Sequence, residues 1–335
     1  MTKRVGKSTI ALENRPAILG FASYVGKKEK EGPLGRFFSH SETETLLRCE
    51  SWEKAESELQ RRAFAHAKAS ANLENEHIDI LFGGDLLNQC IASAFAHRES
   101  ALPFVGLYGA CSTMAESLGL ASVFVDGGYA NTAAAITSSH FCSAERQYRF
   151  PLEYGGQRAP ASQWTVTGSG CVIVGNCPES KIHVSKICFG SIVDLDVSDI
   201  NNMGSAMAPA AAATACRFFE DTGTQPKDYG AVISGDLGEV GSELFIKLCE
   251  MEGYNIPNHL DCGKLIFDTK TQNVGVGGSG CGCSASVLSS YFLPMIERGE
   301  LKDMLFMATG ALMSPTSFQQ GESIPSIAHL VHITT

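Results

Sequence analysis

The feature that most constrains this chain is an internal repeat. Asp85 in LFGGDLLNQ is answered by Asp236 in VISGDLGEV, 151 residues further on. Cys111-Ser112 in GACSTMAESLGLASVF is answered by Cys283-Ser284 in GCGCSASVLSSYF, 172 residues on, and Val125-Asp126-Gly127 by Glu297-Arg298-Gly299 at that same spacing. The strand-like pieces AAAITSS and MLFMATG follow in step. Four matches in one order indicate duplication, and an insertion after Gly235 accounts for the change in spacing. The pattern is a fused pseudo-dimer of two βαβαβ-type halves, residues 1–178 and 179–335.

Within that repeat, Ser51 to Asn72 reads as an amphipathic helix with a polar start. Ile78 to Phe82 is a strand closing on Gly83-Gly84-Asp85, and a helix from about Leu87 to Arg98 follows. Pro103 to Tyr108 is a short strand. A helix then starts at Cys111 or Ser112, where Ser112 is placed to cap it, and runs to Gly127-Gly128. Ala133 to Ile136 is a strand leading to Ser138-Ser139-His140, and residues 141–163 read as an irregular, functional or interface loop. Val166 to Val174 closes the half. In the second half, strands are expected over Ile182–Phe189, Tyr229–Ser234, Gly263–Asp268, Leu305–Thr309 and Ile327–Ile333. Helices are expected near Ala208–Phe219, Ser242–Met251 and from the turn at Gly277–Ser284 through Ile296.

With 335 residues, 44% hydrophobic and 19% charged, the chain suits a folded α/β protein with a large core. A net charge of −10 argues against non-specific nucleic-acid binding. No apolar run has the length of a membrane span, and residues 1–15 lack a signal-peptide stretch. The twelve cysteines include no CxxC pair. They read as reduced thiols, and the Cys281-x-Cys283 pair has no second pair to complete a zinc site.

Cys111 is the main candidate for chemistry. It follows Gly109-Ala110 at a strand-to-helix elbow that points a side chain between strand ends, where a helix N-terminus lowers a thiol pKa. Asp85 and Asp236 sit at matching strand ends, the place where open α/β sheets bind ligands. Each is as readily a helix N-cap as a pocket residue, and as a pair they are candidate calcium contacts or water-positioning groups. His140 lies at a strand end on the rim of Cys111 and is balanced between structural and functional roles. Arg146 and Arg149 in ERQYRFP can meet a dianion, although a solvated or interface loop is the plainer reading. Asn88 and Ser279 complete the expected ligand-binding set of Cys111, Asp85, His140, Asp236, Ser279 and Asn88.

The segments GDLLNQ, GACSTMAESLGLASVFVDGGYA, SSHFCSAERQYRFPLEYGGQ, TVTGSG, MGSAMAPAA, GGSGCGCSAS, ATGALMSPTSFQQ and IPSIAH together resemble the stage V sporulation protein AD family, over nearly the whole chain. The resemblance implies a thiolase-like fold, with two pseudo-symmetric βαβαβαββ halves in five αβαβα layers. It also implies binding of dipicolinate (pyridine-2,6-dicarboxylate), alone or with calcium and with no other cofactor, for uptake into the developing spore and release at germination. The implied partners are integral membrane proteins of the same sporulation transport complex. The chain would then be cytoplasmic at synthesis and peripheral on the spore inner membrane, and a homodimer through a first-half strand is expected.

Thiolases and ketoacyl synthases add a second-half His and a further His or Asn to the nucleophilic Cys. Here Asp236 stands at the first of these places and Gly278-Ser279-Gly280-Cys281-Gly282 at the second, while the last thiolase Cys is replaced by Ala308-Thr309-Gly310. A non-catalytic binding protein is therefore expected. The alternative is an acyltransferase or ketoacyl-synthase-like enzyme using Cys111 as nucleophile.

Overall fold

A computed structural model describes residues 3–148 and 158–335. In the first half the order is β1 (Ala17–Val25), α1 (Trp52–Ala71), β2 (Ile80–Gly84), α2 (Ile91–His97), β3 (Phe104–Gly106), α3 (Thr113–Asp126), β4 (Thr132–Ser139), α4 (Phe141–Tyr148) and β5 (Gly168–Gly175). The second half runs β6 (His183–Phe189), α5 (Met203–Thr222), β7 (Val232–Ser234), α6 (Gly238–Met251), β8 (His259–Asp261), α7 (Cys281–Val287), β9 (Asp303–Ala311) and β10 (Ser326–Thr334). A π-helical turn at Leu288–Phe292 carries α7 on into a last helical segment, Leu293–Glu297.

The strand order makes the duplication visible. One sheet reads β3-β2-β4-β5-β1 and the other β8-β7-β9-β10-β6, each a mirror of the other outward from the centre. The two join at a single register pair, Ala17 with His183. In each half the three strands preceding helices pair in parallel, and the closing strand runs antiparallel. Crossover helices explain this, since a parallel neighbour requires a long return connection.

Helix α3 lies between the sheets and touches strands of both. Its sequence explains the position. Met114, Leu118, Ala121 and Val125 form one helical stripe, Ala115 and Gly119 bury the neighbouring face, and Leu120, Val123 and Phe124 pack against the core from the far side, so the helix is apolar nearly all round, as a central helix must be. α7 is its repeat partner, with every residue buried. Helices α1 and α5 cover the outer faces of the two sheets, giving the five αβαβα layers. One continuous core joins the halves through Met114, Leu118, Val172, Leu288, Phe292, Phe306 and Val331. Each such side chain contributes roughly 1.5–3 kcal/mol by leaving water.

Three expectations need correction. The apolar run after Cys262 is a short helix, Cys262–Ile266, and the strand lies just before it. The reason is Asp261, whose carboxylate accepts from Lys264 N at 3.0 Å and starts a helix there. Helix α2 begins at Ile91 and not Leu87, because Gln89 and Cys90 sit at φ 57° and 53°. The supposed loop from 141 opens with eight helical residues, and Arg149 lies outside the described residues.

The layers meet at distances that admit no side chain. A Cβ at Gly170 on β5 would overlap the carbonyl oxygen of Ala285 on α7. Gly170→Ala is therefore expected to cost about 1–3 kcal/mol by forcing α7 off the sheet, read as a lower urea midpoint with an unchanged slope.

Candidate functional site

Cys111 sits on a single 3-10 turn, Ala110–Ser112, that feeds α3. Ala110 is held at φ 52°, an uncommon conformation for a residue with a Cβ. Two hydroxyls hold the turn. Ser112 Oγ donates to Gly109 O at 2.7 Å and Thr113 Oγ1 to Ala110 O at 2.7 Å. Ser112 thus braces the elbow and does not cap the helix. The end of β9 closes over it, since a Cβ at Gly310 would overlap Gly109 O.

The Cys111 thiol faces the carboxyl of Asp236, which follows the end of β7, and the two groups interact electrostatically. Asp236 Oδ2 accepts from Gly280 N at 2.9 Å and Oδ1 from Thr309 Oγ1 at 3.1 Å. Burial pushes the Asp236 carboxyl up to about 7. Burial, then the Asp236 and Cys281 side chains, raise the Cys111 thiol well above its usual range. The expectation of a thiol acidified by its helix is overturned. Desolvation outweighs the dipole of a helix whose first turn is already braced.

Above Cys111 opens a cavity of about 100 Å³. Leu86, Ile200, Met203, Met207 and Met313 make its apolar walls, and Ser279 joins Cys111 in the lining. Among the described residues its charged groups are Glu145 on α4 and Arg158, paired at 2.7 Å. The Arg158 guanidinium also lies over the rings of Phe141 and Trp164, 5.6 and 5.4 Å from their centroids, and those rings stack at 3.8 Å. Gln163, Thr165, Asn201 and Tyr148 supply the neutral polar groups. None of the nine histidines lines the cavity.

Of the six expected ligand-binding residues, the structure brings Cys111 and Ser279 to the cavity and Asp236 beneath it. The other three go elsewhere. Asp85 is buried and accepts from Leu87 N, Ser93 N and Ser93 Oγ at 2.9, 2.8 and 2.6 Å, so it pins the loop between β2 and α2. His140 Nδ1 accepts from Cys142 N at 3.1 Å while Nε2 donates to Thr45 O at 2.8 Å. Both nitrogens are occupied in a neutral ring, and burial lowers its pKa. Asn88 is exposed and accepts from Tyr108. Arg146 pairs with Glu53 over Trp52, away from the cavity. The thiols of Cys281 and Cys283 point apart, to Ser138 O and Gly235 O. Among the described residues no group of three or more His, Cys, Asp or Glu could hold a metal ion.

A profile of the family described as stage V sporulation protein AD matches residues 6–334. Stage V sporulation protein AD of Bacillus subtilis (strain 168) is 43% identical over 328 residues, covering 98% of this chain and 96% of the relative. The chain belongs to the stage V sporulation protein AD family. Among solved structures it resembles 3-oxoacyl-[acyl-carrier-protein] synthase III from Aquifex aeolicus VF5, at 16% identity and TM-score 0.57 over 96% of this chain and all of that one. It also resembles a variant of Xanthomonas campestris OleA, at 12% identity and TM-score 0.63 over 96% and 98%. These likenesses show the thiolase-like fold of condensing enzymes. No helix among the described residues is long and apolar enough to cross a membrane.

Arg158, Glu145 and Gln163 were missed in the sequence, although they lie in or beside the 141–163 stretch that stood out as functional. No spacing in this stretch marks which side chains face the cavity, so an arginine pair nearer His140 drew attention instead.

Asp236 also has a consequence for stability. Its folded pKa of about 7 lies above the unfolded value of 3.8, and Glu29 and Glu56 are raised by burial to about 7 and 8. The folded state holds these protons more tightly, so their stabilisation is full below pH 4 and is lost as pH rises through 7 to 8. Thermal midpoints are expected to fall from pH 5 to pH 8. Asp236→Asn, which cannot ionise, should flatten that fall by an amount of order 1–4 kcal/mol.

Proposed function

We propose that this chain is a non-catalytic holder of dipicolinate, bound in the cavity above Cys111. Together with integral membrane partners it serves uptake of that ligand into the developing spore and its release at germination. One observation carries the reading: the thiol at the elbow faces a carboxyl and no imidazole. With the thiol raised well above its usual range by burial and the carboxyl opposite it raised as well, little of the thiol is ionised. A nucleophile for acyl transfer needs far more.

The remaining lining suits a flat aromatic dicarboxylate. Methionine and aliphatic walls fit the faces of a ring, and the Arg158 guanidinium offers charge-assisted hydrogen bonds to a carboxylate. Calcium can enter only as part of the ligand in this reading, since Asp85 and Asp236 already accept hydrogen bonds from the protein. Membrane attachment then rests with partner proteins.

Titration calorimetry with dipicolinate, with and without calcium, tests the proposal. Heat is expected at submillimolar ligand, and Arg158→Ala should weaken binding tenfold or more. Folded protein that gives no heat at millimolar ligand would sink the reading. An adduct on Cys111 after incubation with acyl-CoAs, seen by intact mass spectrometry, would favour the acyltransferase instead.

Pairing of two copies is proposed at β3, the outer edge of the first sheet, where Val105 and the nearby Phe95 and Tyr108 are exposed. An apolar open edge invites a partner strand. Sedimentation equilibrium is expected to give a dimer, and Val105→Lys a monomer. A wild-type monomer at tens of micromolar overturns the assignment.

A further inference from the structure

Among the described residues, the charges of the cavity do not balance a dianion. Among the described residues Arg158 is the single cation of the lining, and Glu145 meets it at 2.7 Å. The other ionisable groups facing the space are Cys111 at the elbow before α3, Tyr148 on α4, and Asp236 beneath Cys111. Thr309 on β9, Cys281 and Cys283 on α7, and Asp261 and Cys262 at the end of β8 surround Asp236 in turn. None of these adds positive charge. Two carboxylates brought into this space without a cation of their own meet, among the described residues, one arginine already paired with Glu145, and a charge left uncompensated and largely dry costs several kcal/mol.

The lining also holds an acceptor without a donor. Gln163 is 5% exposed. Its Nε2 donates to Asp236 O at 2.6 Å and Gly278 O at 2.9 Å. Those two carbonyls fix the amide orientation, because turning it would set oxygen against oxygen. Oε1 is left on the other side, buried, with no partner. A buried acceptor held in this way costs about 1–3 kcal/mol until something donates to it. A dicarboxylate dianion has only acceptors and cannot do so.

We propose that the cavity takes its ligand as a singly protonated monoanion: one carboxylate on Arg158, and the proton-bearing O–H or N–H donating to Gln163 Oε1. Binding from neutral solution then draws in one proton per ligand, and release returns it. The inference rests on the dipicolinate reading above. It adds to that reading the protonation state of the ligand, the residue that selects it, and a dependence of loading on pH.

Calorimetry of the full chain with dipicolinate at pH 7.0 and 8.0, in phosphate and in Tris, reads the proton directly. These buffers differ widely in ionisation enthalpy. Uptake of about one proton per ligand is expected, with affinity falling up to tenfold between the two pH values. Infrared difference spectra with carboxyl-labelled ligand, and the ring 15N shift, then locate the proton. A bound carboxylic acid or a protonated ring is the expected result. Heat that is the same in both buffers overturns the proposal while leaving dipicolinate binding intact. Proton uptake with two ionised carboxylates and a bare ring nitrogen also overturns it, since the proton would then sit on Glu145 or Asp236. No heat at all removes both readings.

Discussion

The buried carboxyl of Asp236 is the point at which the second half of the chain is tied to the first. It accepts from Gly280 at the entry to α7 and from Thr309 on β9, and it faces the Cys111 thiol at the elbow before α3. Three elements from both halves therefore meet one group. A charge fully removed from water would be too costly there, and burial answers by raising the carboxyl to about 7. The same desolvation keeps Cys111 a thiol. Position and protonation thus have one cause, and the chemistry open to the cavity follows from it.

The duplication was legible because its marks are backbone requirements. Strand ends at Gly-Asp recur, Cys-Ser recurs in the turn entering α3 and in the first turn of α7, and the same strand order in both sheets follows. The long helix α1 was legible for a similar reason. Ser51 accepts from Lys54 N, and Asn72 takes the left-handed cap at φ 55°, so both ends are written locally. The helix at Cys262 was not. KLIF has the composition of a strand, and the competing signal is one aspartate whose capping role shows only when its hydrogen bonds are seen.

Site residues divided along the same line. Cys111 is set by its own turn, so local sequence located it. His140 and Asp85 share strand ends with the site, but their partners come from distant or inward-facing segments, Thr45 in one case and Ser93 in the other. A strand end says which rim a residue occupies, not which way its side chain turns. Arg158 reaches the cavity by stacking on Phe141 and Trp164, a contact between segments that no spacing in the chain encodes.

The kept elbow is weaker support for catalysis than it first looks. A residue with a Cβ at positive φ, such as Ala110, costs of order 1 kcal/mol and persists only where its surroundings over-determine it. Here they do. Ser112 and Thr113 brace the turn from within, and β9 presses Gly310 against Gly109 from outside. These contacts belong to the packing of β9 on the entry to α3, which the two-sheet architecture needs whatever the cavity holds. The elbow would survive the loss of its chemistry, because packing maintains it. What distinguishes a nucleophile from a pocket floor is the group opposite the thiol, and in this chain that group is the Asp236 carboxyl.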